Sequence, residues 1–143
     1  MMTLYSQRDS RWANKKIGNS NSTIGALGCT ISTIASLSSW YGCDHDPAWM
    51  AKYLRFLNDL ILWQSVNEKL CFKWKWRQYG YNEQKILDSL NGETTSVIFQ
   101  VYSRHWVVGI KKIGNYYWCG DPWDGKRKLF HKKYITGSSH FDK

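Results

Sequence analysis

Four residues are of the types and in the settings that acyl-transfer chemistry needs: Cys29, His105, Asp121 and Gln7. Cys29 opens a run without charges, Cys29 to Tyr41, that reads as a helix. Unpaired N–H groups and the helix dipole favour an anion at such a position, which makes a thiolate more accessible. Gly25 and Gly28 just upstream carry no side-chain bulk and are expected to leave room for a substrate backbone. Taken alone, Cys29 reads more readily as a small buried apolar residue, as most free cysteines are.

His105 adds to the case. It begins the apolar run His105-Trp106-Val107-Val108-Gly109-Ile110, where a histidine is unexpected. A neutral imidazole there could take a thiol proton and return it to a leaving group. His45, His131 and His140 lie in loop-like or basic contexts and are weaker candidates.

The imidazole needs a group that fixes its tautomer, and Asp121 in Cys119-Gly120-Asp121-Pro122-Trp123 is the candidate. Whether it reaches His105 depends on strand register. A two-residue turn at Gly114-Asn115 would set Val108 opposite Asp121 and point the two side chains to opposite faces. A three-residue loop Lys112-Ile113-Gly114, with Gly114 left-handed, would set His105 directly opposite Asp121. Asp121 could also be an ordinary turn residue before Pro122. Gln7 is a candidate side-chain amide for an oxyanion, although spacing alone ranks it no higher than the other amides.

Several elements must position these groups. The helix from Cys29 has Gly42 as its stop, and its small Ser and Thr residues suit close approach of a sheet. Asp46 and Pro47 open a second helix, with Met50, Tyr53, Leu54, Leu57 and Ile61 on one face. Asn82 opens a third, with Ile86, Leu87 and Leu90 inward and Gly92 beyond its end. Strands are expected at 97–102, 105–112 and 116–120, with a closing strand within 126–134. Phe72-Lys73-Trp74-Lys75-Trp76-Arg77 alternates, so a strand there would put aromatics on one face and cations on the other. The chain therefore reads as one α+β domain spanning residues 1–143, helical first and strand-rich second.

Composition narrows the partners. Twenty Lys and Arg against eleven Asp and Glu give a net charge of +9, which suits an anionic surface such as a bacterial cell wall, or simply keeps the protein in solution. Nucleic acid is not expected, because the alternation at 72–77 separates aromatics from cations that a single-stranded site needs together. Cys29, Cys43, Cys71 and Cys119 form no closely spaced pair, so no zinc site and no cofactor is expected. No apolar run is long enough for a transmembrane helix, and residues 1–8 lack a secretory signal. The protein is thus expected to stay where it is made or to leave by a route not encoded here, with reduced thiols. The nine tryptophans could line a groove, though most are expected in the core.

Tyr5-Ser6-Gln7-Arg8-Asp9-Ser10-Arg11-Trp12, Gly18-Asn19-Ser20, Thr23-Ile24-Gly25 and Gly28-Cys29-Thr30-Ile31 resemble the opening of the family-39-like cysteine peptidases. His105-Trp106-Val107-Val108 and Gly120-Asp121-Pro122 resemble later motifs of that group, which is papain-like and related to peptidases that trim double-glycine leader peptides. The resemblance spans most of the chain in order and is loose across 45–95. It implies a papain-like fold, a Cys29–His105–Asp121 triad with Gln7 at the oxyanion hole, and a peptide or the peptide part of peptidoglycan as substrate. Lacking a transporter segment, the chain is more similar to free-standing or phage-encoded members than to the exporters. An inactive papain-like binding module for an anionic partner is the alternative.

Overall fold

The structure is a computed structural model that describes all residues, 1–143. α1 (Ile24–Leu27) leads directly into α2 (Cys29–Tyr41), which ends at Gly42 in the left-handed region, φ 90°. α2 buries Ser32, Thr33, Ser36 and Ser38 as well as Ile31, Ile34 and Leu37. Thr33, Ser36 and Ser38 each donate a hydroxyl to a carbonyl one turn earlier, whereas the Ser32 hydroxyl has no partner. Small buried hydroxyls let the helix lie close on the sheet, as its composition suggested.

α3 (Pro47–Tyr53) is capped by the Asp46 carboxylate, which accepts from the Trp49 N–H at 2.9 Å. The helical face expected to continue to Ile61 does not form. A hairpin of β1 (Phe56–Leu57) and β2 (Leu60–Ile61) replaces it, with Asn58 left-handed at φ 59°. Asn58-Asp59 is a turn pair that overrides the 3.6-residue periodicity, and Leu57 and Leu60 are exposed. α4 (Ser65–Lys69) follows.

Six antiparallel strands form the sheet: β3 (Lys73–Tyr79), β4 (Ser96–Val101), β5 (His105–Ile113), β6 (Tyr116–Asp121), β7 (Lys126–His131) and β8 (Ile135–Asp142), in the order β3-β8-β4-β5-β6-β7. α5 (Glu83–Asn91) begins where expected, with the Asn82 side chain accepting from the Lys85 N–H. Ile86 is buried, and Leu87 and Leu90 are half-buried. β8 was not foreseen, although it lies inside the sheet between β3 and β4. Its run Gly137-Ser138-Ser139-His140 has no apolar side chain, yet all four residues are buried.

The aromatic–basic alternation of β3 is interrupted by a bulge at Lys75, between the pairs Trp74↔Phe141 and Trp76↔His140. Trp74 packs near Trp63 in the cluster beneath α2. Trp76 stacks on His140 at 4.0 Å, and His140 Nδ1 is 2.6 Å from Ser89 Oγ of α5 on the opposite side. The two tryptophans thus do not share a face, because the extra residue inverts the parity. The core is accordingly double: Ile31, Ile34, Leu37, Ile98, Val108 and Phe141 under α2, and Ile86, Val97, Phe99, Val107 and Tyr117 under α5. No helix is long and apolar enough to cross a membrane.

The expectation of four reduced thiols is corrected. Cys43 and Cys71 form a disulfide, with Cα atoms 6.0 Å apart, and Cys29 and Cys119 are free. Spacing alone hid the pair, because 28 positions separate the two cysteines and α3, β1, β2 and α4 lie between them. Closing a loop of this length restricts the unfolded chain by about 3–4 kcal/mol. Cys43→Ser with Cys71→Ser is therefore expected to lower the urea midpoint by that equivalent; an unchanged midpoint would show that the crosslink adds nothing.

Candidate active site

The pairing of β5 with β6 decides where His105 and Asp121 point. The hairpin uses the two-residue loop Gly114-Asn115, with Ile113 opposite Tyr116 and Gly114 at φ 61°. An unbroken ladder would send the two side chains to opposite faces. A bulge at Ile110, between Gly109↔Cys119 and Lys111↔Trp118, moves the register by one, so Val108 meets Gly120. Asp121 then falls beside Val107, and His105, two residues along, faces the same way. The two-residue turn is therefore the one found and the three-residue loop is not, and the common face comes from the extra residue inside the strand. Gly109 beside the bulge is packed under the Phe99 ring, where a Cβ would come within 2.7 Å of Cζ.

His105 Nε2 lies 2.7 Å from Asp121 Oδ1. That carboxylate, only 6% exposed, also accepts from the Trp123 N–H at 2.9 Å and from Lys128 Nζ at 2.9 Å, and Lys128 reaches on to Asp124. Burial would raise the Asp121 carboxyl, but the bonds from His105, Trp123 and Lys128 outweigh it and hold it at about 2. Asp121 is thus an anion throughout the neutral range.

With Nε2 committed to Asp121, the other ring nitrogen of His105 remains for Cys29, and each side chain favours the charged form of the other. Burial disfavours the Cys29 thiolate, yet bonds with His105, the Trp106 backbone and Thr30 bring its pKa below the ordinary thiol value. Burial likewise disfavours the imidazolium, but Asp121 and Cys29 together push His105 up to about 9. At neutral pH His105 is therefore held as the imidazolium, and the Cys29 thiol beside it ionises more readily than an ordinary thiol. Cys119, the other free thiol, is buried and pushed up, and so stays protonated.

The chain ahead of α1 straps the two halves together. Gln7 N–H donates to Pro122 O at 2.6 Å, Tyr5 N–H to Ser36 Oγ, and Arg8 stacks over Trp123 at 4.4 Å. Leu4 fills the space over Gly120, where a Cβ would stand 2.5 Å from Leu4 Cδ2. This strap delivers Gln7 to the same cleft as Cys29. Gln7 is 2% exposed; its Nε2 donates to Gly25 O at 3.2 Å, while Oε1 has no partner. One of its two amide hydrogens stays free. The expectation for Gly25 and Gly28 is corrected: a Cβ on Gly28 would come within 2.7 Å of Ile24 Cγ2, and one on Gly25 would meet Ala13. Their bareness accommodates the protein's own chain and not a substrate.

All four residues line one cleft of about 920 Å³. Ala26, Leu27 and Thr30 form one wall, the β1–β2 hairpin and Trp63 a second, and Arg77, Gln100 and the turn 102–104 a third. Lys128 and the Trp123 N–H were missed as partners of Asp121. The β6–β7 register, with Asp121↔Lys126 and Cys119↔Lys128, sets Lys128 diagonal to Asp121 on one face, which could have been counted had the turn 122–125 been recognised.

No protein-family profile and no curated protein matches the chain. Solved structures do, as similarities of fold. A double-glycine-motif protease from an AMS/PCAT transporter, solved with its leader peptide, aligns with TM-score 0.62 and 18% identity over 93% of this chain and 95% of that one. The peptidase domain of Streptococcus ComA, a bifunctional ABC transporter of a quorum-sensing pathway, aligns with TM-score 0.64 and 16% identity over 99% and 98%. The α+β fold is thus the papain-like one of double-glycine peptidase domains.

Iodoacetamide should label Cys29 well below the pH at which an ordinary thiol reacts, leaving Cys119 untouched. In His105→Ala the rate at about pH 6 should fall tenfold or more, because the partner cation is gone. Equal labelling of both free cysteines, or an unshifted profile in His105→Ala, would contradict the geometry.

Proposed function

We propose that this protein is a thiol hydrolase that cuts an amide bond in a peptide. The observation that carries the reading is the His105–Asp121 hydrogen bond in an open cleft that Cys29 also lines, with a free amide hydrogen of Gln7 in the same cleft. The fold shared with a protease solved with its leader peptide favours a peptide substrate. The Cys29 thiolate attacks the scissile carbonyl carbon, and the C=O electron pair moves onto oxygen. That oxyanion is met by Gln7 Nε2 and by the Cys29 backbone N–H, which has no partner within the first turn of α2. His105 gives its proton to the departing amine, so the C–N bond breaks and a thioester remains. Water then loses a proton to His105 and adds to the thioester, expelling the thiolate and regenerating the ion pair.

Asp121 holds the ring through Nε2, and Lys128 and the Trp123 N–H hold Asp121. Activity has two limits. It begins as Cys29 ionises, below the usual thiol range, and is lost again as His105 deprotonates around pH 9.

The net charge of +9 extends the reading to stem peptides of an anionic cell wall as a second substrate class. Mixed peptides, Gly-Gly-containing peptides and purified peptidoglycan are digested in parallel, and new amino termini are read by mass spectrometry. The wild type should release peptide fragments. Cys29→Ala and His105→Ala should lose about 10⁴-fold or more in rate, and Gln7→Ala about 10²–10³-fold. Cleavage that survives Cys29→Ala, or tight peptide binding by the wild type without turnover, would overturn the hydrolase reading, the latter in favour of a binding module.

A further inference from the structure

Arg77 is a cation of the cleft without an anion. It stands on β3, at the edge of the sheet, and its side chain crosses Gly137 of β8, where a Cβ would clash with the guanidinium. Its head lies 4.9 Å from the centroid of Trp106, the residue after His105. Nη2 donates to Gln100 Oε1 at 3.0 Å, and Nη1 donates to Gln78 O. Both partners are neutral, and none of the protein's ion pairs includes Arg77. Burial accordingly pulls the guanidinium below its ordinary range, with no carboxylate to offset it.

The turn beside it is strained. Tyr102 and Ser103 are both left-handed, at φ 54° and 61°, a rare state for side-chain-bearing residues. Tyr102 N–H bonded to Tyr134 O, Ser103 N–H bonded to Thr136 Oγ1, and Gln100 Nε2 bonded to Ser103 O hold the turn in place. The result is that Arg104, exposed and likewise without an ion-pair partner, stands at the rim next to His105. Across the cleft Asp59 supplies the only other unpaired charge, and its carboxylate accepts from Ser22 Oγ at 2.6 Å.

We propose that Arg77, assisted by Arg104 at the rim, is a carboxylate-binding subsite, so that the peptide cut in this cleft carries an Asp or Glu side chain close to the scissile bond. The inference rests on the peptidase reading and adds the substrate's charge. Arg77 determines specificity and takes no part in bond cleavage. Its planar fork, already oriented by Gln100 and Trp106, suits a two-oxygen acceptor.

The test walks one Glu, against one Gln, through each position of quenched fluorescent decapeptides. The readout is the ratio of kcat/KM for the Glu peptide to that for the Gln peptide within each protein, so a general loss of rate cancels. In the wild type one position should favour Glu about tenfold, the worth of a charge-assisted bond in a partly buried site. Arg77→Gln should bring that ratio to about one, and Arg77→Lys, which keeps the charge without the fork, should leave it in between. Arg127→Gln removes the same charge from the exposed edge of β7 and should keep the full ratio. The same peptides are also measured by fluorescence anisotropy on Cys29→Ala, where no turnover is needed. A Glu preference unchanged in both Arg77 variants, or equal binding of Glu and Gln peptides at every position, would overturn the subsite. Absence of cleavage with a surviving, Arg77-dependent binding preference would overturn the peptidase reading alone.

Discussion

A thiolate and an imidazolium kept partly out of water are costly unless each faces the other and one of them also faces a fixed anion. That constraint organises this molecule. Cys29 comes from the first turn of a helix, His105 from the start of one strand and Asp121 from the end of its neighbour. Burial opposes ionisation at all three, and the bonds among them, together with Lys128 and the Trp123 N–H, outweigh it in each case. Removing any one partner leaves a buried charge uncompensated, which is why distant parts of the chain converge on this end of the sheet.

Much of the scaffolding serves that convergence. The bulge at Ile110 gives His105 and Asp121 a common face that the two-residue hairpin would otherwise deny them. The amino-terminal strap joins α2 to the turn after β6 and carries Gln7 with it. The Cys43–Cys71 bridge closes the segment that holds β1, β2 and Trp63, a whole wall of the cleft. Arg77 reaches the opposite wall only because Gly137 has no side chain.

The legible parts of the sequence were those with local causes. Gly42 stops α2, Asp46 and Asn82 cap their helices, and an out-of-place histidine in an apolar strand marked His105. Non-local causes were invisible. The bulges at Lys75 and Ile110 respond to packing across the sheet, and the disulfide depends on the path of a 28-residue loop. β8 lacks alternation because both its faces are covered; Ser138 and Ser89 satisfy the His140 ring, while Ser139 Oγ is left without a partner. The Asn58-Asp59 turn has a local cause too, but the apolar spacing on either side of it matches a helix face and masks it.

Nitrogen-15 NMR of the His105 ring at about pH 7, in the wild type and in Cys29→Ala, addresses the ion pair at its source. The predicted spectrum has both ring nitrogens protonated in the wild type, with the ring losing a proton at lower pH once the sulfur is removed. A neutral His105 ring in the wild type, titrating identically in Cys29→Ala, would contradict the thiolate–imidazolium pair.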